Sequence, residues 1–149
     1  MVRLSLDLPG APQPWQRPAA GGRRGRINRP ETRAYEARVA SVAAAEALAQ
    51  RVLLPFRGPV AVRCVLVLPG TQAGALEPTL HACRPDADNL EKCIFDGLNK
   101  GVLEDDGQVS VHLTEKWRAP RGKPGHARIL IVSAEDQPRC ETCDQRVWT

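Results

Sequence analysis

The sequence predicts an α+β domain in which a mixed four-stranded sheet packs against two helices. Three observations carry this. Some segments alternate apolar and polar residues or run through β-branched ones, as strands do. Two others space their apolar residues three and four apart, as helices do. Their order is strand, helix, strand, helix, strand, strand, and a chain of 149 residues can bury one core without disulfides.

Val2, Leu4, Leu6 and Leu8 alternate with Arg3, Ser5 and Asp7, a half-buried strand that Pro9 and Gly10 end. Residues 9–30 are rich in Pro, Gly and Arg without apolar period and read as a loop. The alanine-rich stretch from Glu31 to Arg51, with Tyr35, Val39, Val42 and Leu48, reads as a helix, and Pro55 and Gly58 mark a turn. Val60 to Leu68 is apolar at nearly every position, which places it centrally in the sheet. Residues 69–85 hold three prolines and two glycines and read as a long loop. A helix starts near Asp86 or Asp88, with Leu90, Cys93, Ile94 and Leu98 on one face and Gly101 closing it. Val109, Val111 and Leu113 form a third strand and Ile129 to Val132 a fourth, with a basic loop over 118–125 between them.

Hydrophobic residues at 42% and charged residues at 26% match a folded globular protein. No apolar run approaches the ~20 residues of a membrane span. The N-terminus lacks the apolar stretch of a secretory signal, so the expected location is the cytoplasm. The five cysteines are an odd number, which argues against a disulfide framework. Cys64 and Cys93 sit in apolar patterns, and the Cys140/Cys143 pair lacks the second pair that zinc needs. The tail over 134–149 is polar and stands apart from the domain expected over 1–133.

Charge is unevenly placed. From Asp86 to Asp106 seven acids face two bases, a local −5, so the remainder of this +4 chain carries +9. Seven arginines lie between Arg17 and Arg38, and Lys116, Arg118, Arg121, Lys123 and Arg128 follow with no acid among them. Basic stretches flanking an acidic cluster suit a protein that grips phosphates and hydrolyses them through metal-bound carboxylates. The candidate phosphate contacts are Arg17, Arg23, Arg24, Arg26, Arg33, Lys116, Arg118, Arg121 and Lys123.

The chemistry concentrates in RPDADNLEKCIFDGLNKGVLEDDGQV, residues 84–109. Asp86 and Asp88 flank a helix start, and Asp105 and Asp106 occupy the turn before the next strand. Mg²⁺ takes oxygen ligands, commonly one or two carboxylates with water and substrate phosphate. Lys92 lies one helical turn after Asp88 and could face the phosphate such a cation holds. Each residue also has a structural use: Asp88 with Glu91 makes a capping-box pattern, Lys92 pairs at i,i+4 with Asp88 or Asp96, and Asp106-Gly107 is a turn. Three or four uncompensated acids gathered at one helix end are harder to explain by structure alone, because their repulsion costs stability.

PDADNLEKCIFDGLNKGVLEDDGQV resembles the RusA-type Holliday-junction resolvases, or crossover junction endodeoxyribonucleases. Their pattern is Asp-x-Asp-Asn-Leu-x-Lys, Asp-x-Leu-Asn, then Asp-Asp-x-Gln-Val. The match falls at Asp86, Asp88, Asn89, Leu90, Lys92, Asp96, Leu98, Asn99, Asp105, Asp106, Gln108 and Val109. With the proline-rich start, Arg17 and the Tyr35 helix, the likeness spans about residues 2–133. It implies that Asp86, Asp88 and Asp106 bind Mg²⁺, with Mn²⁺ able to replace it, and that Lys92 is essential for cleavage. Asn89 and Asp105 would orient those ligands. It further implies a bacterial or phage origin, a homodimer and symmetric nicking of four-way junctions during recombination and repair, without a nucleotide cofactor or membrane partner. The isologous interface is expected on the sheet or second helix near Leu98 and Val102. A nuclease of the same chemistry acting on flaps or forks, and a catalytically silent DNA-binding protein, are the alternatives.

Overall fold

The computed structural model describes residues 2–17, 19–20, 26–27 and 29–133. β1 (Arg3–Pro9) buries Leu4, Leu6 and Leu8 and exposes the residues between, as its period of two requires. Two short antiparallel strands, β2 (Ala19–Ala20) and β3 (Arg26–Ile27), interrupt the segment expected to be loop. α1 (Pro30–Gln50) opens on proline at its first turn, where the missing N–H costs nothing. It buries Thr32, Tyr35, Glu36, Val39, Ala43 and Ala47, one stripe at three- and four-residue spacing. Arg51, left-handed at φ 57°, ends the helix.

β4 (Val60–Leu68) is central, as its apolar composition predicts. It runs antiparallel to β7 (His126–Ser133) and parallel to β6 (Val109–Arg118). The sheet has five strands, not four, in the order β1-β7-β4-β6-β5. β5 (Thr79–Leu80) is the addition, a two-residue strand against Arg118 and Trp117. α2 (Ala87–Leu98) makes the crossover between parallel β4 and β6. Both β6 and β7 are longer than their apolar cores suggest.

Val60, Val62, Cys64, Leu66 and Leu68 join Leu4, Leu6 and Leu8 with Val39, Leu90, Ile94 and Leu98 in one core between the sheet and the helices. The opposite sheet face carries a shallow groove lined in part by Arg63, Val65, Glu115 and Trp117. Gly97 lets the two helices approach closely: a Cβ there would stand 2.7 Å from Val39 Cβ and 2.9 Å from the Glu36 carbonyl. Leu98 and Val102, expected at a subunit interface, are 0% and 2% exposed and belong to this core. No described helix is long and apolar enough to cross a membrane.

Candidate active site

Asp86 holds the N-cap position of α2 in extended conformation (φ −71°, ψ 147°), yet its side chain makes no capping bond. Asp88 follows in the first turn, and both carboxylates are exposed. Among the described residues, neither carboxylate has a hydrogen bond or ion pair, so the structural uses their pattern offered are not taken up. Glu91, the acid of the capping-box pattern, turns away to β6, accepting from the Thr114 hydroxyl and meeting His112 Nδ1 at 2.8 Å. Lys92 pairs with Asp96 at 3.5 Å and lies 5.2 Å from the centre of the Trp15 ring. Its ammonium is drawn along the helix, away from Asp88, by an attraction of opposite charge and ring quadrupole.

Two contacts seat this helix start. The Lys116 ammonium donates to the carbonyls of Cys83 and Pro85 at 2.7 and 2.8 Å, clamping to β6 the residues that lead into Asp86. The Trp15 amide donates to the Asn89 carbonyl at 2.8 Å, so the proline-rich segment through Arg17 lies beside the acids. The sequence assigns no role to Trp15 or His112 and gives Glu91 only its capping-box one; a lone aromatic in a proline-rich segment is the one available signal for Trp15.

Asp105 and Asp106 are fixed separately. Asp105 caps the 3-10 turn Asp106–Gln108, accepting from the Gly107 amide at 2.7 Å. Gln108 Oε1 accepts from the amides of Glu104 and Asp105, while Nε2 donates to the carbonyls of Phe56 and Gly58 at 3.0 and 2.9 Å. Asp106 is exposed, and among the described residues its carboxylate has no partner.

The acids are therefore not gathered at one helix end. Pro85 meets Lys116 and Glu91 meets His112 and Thr114, so α2 runs antiparallel to β6. Asp106 precedes β6 at its opposite end. The twelve residues of α2, at about 1.5 Å each, put roughly 18 Å between Asp86 and the helix end nearer Asp106. Among the described residues no group of three or more His, Cys, Asp or Glu is close enough to hold a metal ion. Of Asp86, Asp88 and Asp106, the first two are the ones that stand together at one helix start.

The basic candidates divide. Besides Lys116, Arg118 donates to the Pro69 carbonyl and meets His81, and Arg121 donates to the Gly74 carbonyl, so all three pin the 69–85 loop. Arg17, Arg33 and Lys123 are exposed, with no partner for their charged groups among the described residues. Arg23 and Arg24 lie outside the described residues, as do the Cys140/Cys143 tail and the side chain of Arg26.

Among curated proteins, none matches the chain. Residues 9–129 match the family described as Endodeoxyribonuclease RusA, a span that holds both helices, both acid pairs and Lys116. With four-fifths of its length in that match, the chain belongs to the RusA endodeoxyribonuclease family.

Proposed function

We propose that this chain is a Mg²⁺-dependent endonuclease that resolves four-way DNA junctions by paired nicking as a homodimer. The observation that carries the reading is Asp86 and Asp88: two exposed carboxylates at a helix start that, among the described residues, neither cap nor pair. A hard cation needs one or two carboxylates and leaves its other positions to water and phosphate, so this pair fits Mg²⁺, and Mn²⁺ by the same oxygen preference. Once bound, the metal would supply an activated water and offset charge developing on the phosphate.

The chain's own residues divide the remaining work. Asp86 and Asp88 hold the cation, Asp106 is the third ligand, and Asn89 and Asp105 orient the set. Lys92, half-exposed and held among the described residues by Asp96 and Trp15, is free to exchange those contacts for a scissile phosphate. Arg17, Arg33 and Lys123, with Arg23, Arg24 and Arg26, grip the flanking backbone. Two arguments support the dimer: a junction needs two symmetry-related cuts from a chain with one acid set, and acids at both ends of α2 can share a cation only between copies.

Labelled four-way, Y-shaped and linear duplexes, each with and without Mg²⁺, test this. Cleavage should need the cation and favour the four-way substrate. Asp86→Asn or Asp88→Asn should abolish cleavage and leave binding intact, since neutralising a carboxylate also removes charge that repels DNA. A triple Asp86→Asn, Asp88→Asn, Asp106→Asn variant that still nicks would overturn the assignment.

A further inference from the structure

Lys92 has two acids within reach along α2, Asp88 four residues before it and Asp96 four residues after. Ion pairs at this spacing are stronger when the acid precedes the base, so the helix by itself favours Asp88. The structure shows the other choice. The Lys92 ammonium lies 3.5 Å from Asp96, while the Asp88 carboxylate has no partner among the described residues. What tips the balance is Trp15, whose ring centre is 5.2 Å from the same ammonium. An indole face attracts a cation by more than an exposed i,i+4 ion pair supplies, so it outweighs the preference of the helix.

Trp15 can hold the lysine because its own place is fixed. Its amide donates to the Asn89 carbonyl of α2 at 2.8 Å, the next amide, of Gln16, donates to the Thr32 hydroxyl of α1 at 3.4 Å, and its side chain packs against the core. Lys92, by contrast, is a half-exposed charge on a flexible stem.

We propose that Trp15 is a positioning residue for the acid pair: it draws Lys92 toward Asp96 and so keeps Asp88 open to a divalent cation. The inference rests on the reading of Asp86 and Asp88 as cation ligands. Without the indole, Lys92 falls back on Asp88, and a cation must displace it. An exposed i,i+4 pair closes its acid rather more than half the time, so affinity for the cation drops roughly two- to threefold.

Mn²⁺ binding to the full chain, titrated by electron paramagnetic resonance without DNA, tests this, with Asp88→Asn marking the binding that belongs to the acid pair. Trp15→Leu should weaken that binding roughly two- to threefold, and Trp15→Phe, which keeps an aromatic filler, should weaken it less. Adding Lys92→Met to either should restore it, since no ammonium is left to compete. Unchanged affinity in both Trp15 variants overturns the proposal, and so does a weakening that Lys92→Met fails to relieve, which is what a merely loosened helix start would give. The contact itself is read without metal: with Trp117 and Trp148 changed to Phe, Lys92→Met should alter the emission of Trp15, and an identical spectrum also overturns the proposal. Mn²⁺ binding that Asp88→Asn leaves untouched refutes the acid-pair reading and the proposal with it. Binding that needs Asp88 but ignores Trp15 refutes the proposal alone and leaves the nuclease reading intact.

Discussion

Lys116→Met is the most informative single change near the acids, because sequence and structure assign Lys116 different work. Sequence counts it as a phosphate contact, whereas its ammonium holds the carbonyls of Cys83 and Pro85, one residue before Asp86. Methionine keeps much of the stem and removes both bonds. A hydrogen bond to a charged group contributes about 1.5–3 kcal/mol when shielded; halving this for a partly exposed ammonium leaves ~2 kcal/mol for the two. If that energy holds Asp86 in place, its loss lowers single-turnover cleavage roughly 30-fold at saturating protein. Junction affinity and its salt dependence should change little, as no phosphate contact is removed. Affinity measured from 50 to 200 mM salt, with cleavage under the same conditions, separates the roles. A salt slope lower by about one with a normal cleavage rate would refute the clamp and restore Lys116 to the DNA surface.

Gly97→Ala sets a gain of about 1 kcal/mol in helix propensity against overpacking that typically costs 1–3 kcal/mol. The new methyl would meet the Glu36 carbonyl, which cannot yield without bending α1, so urea unfolding should show a net loss of about 1–2 kcal/mol. A more stable variant would refute the close approach. Burial pushes the Cys93 thiol up to about 12 and Cys64 higher still, so at pH 8 Cys83 should be the one described cysteine that a thiol reagent labels before unfolding. Rapid labelling of Cys93 in a Cys140→Ser, Cys143→Ser background would contradict its burial. The Arg63 guanidinium, bonded to Glu115 at 2.9 Å, holds that carboxyl below its usual 4.5. The stabilisation is present above 4.5 and lost as pH falls through the lowered value, so Glu115→Gln should flatten the acid side of the stability curve and leave its shape near pH 7 unchanged.

Much of the fold was legible because long elements repeat their period. β1, β4 and the buried stripe of α2 all follow the spacing of their apolar residues. β5 was not, since two residues carry no period, and the second half of β6 reads as polar because Glu115, Lys116 and Arg118 are polar residues with partners. For the candidate site, the sequence offers Asp86, Asp88, Asp105 and Asp106 as candidates but not their arrangement. Twenty positions of separation look like proximity until α2 is laid along them. Basic residues mislead similarly: sequence displays the charge of Arg118 and Arg121 but not the carbonyls that occupy them.

The side chain of Gln108 explains why an amide, and no charged group, stands two positions after Asp106. Its oxygen offers two acceptor sites and its nitrogen two N–H groups, and all four are engaged, two with the chain before the turn and two with Phe56 and Gly58. A glutamate would turn the donating end into a second acceptor against two carbonyls, a lysine would supply nothing for the amides of Glu104 and Asp105, and an asparagine falls one methylene short. Each would also alter the field at the neighbouring carboxylates, or release them from their mount. A saturated neutral amide fixes the turn in place and contributes no net charge, so the charge carried by the turn comes from its aspartates.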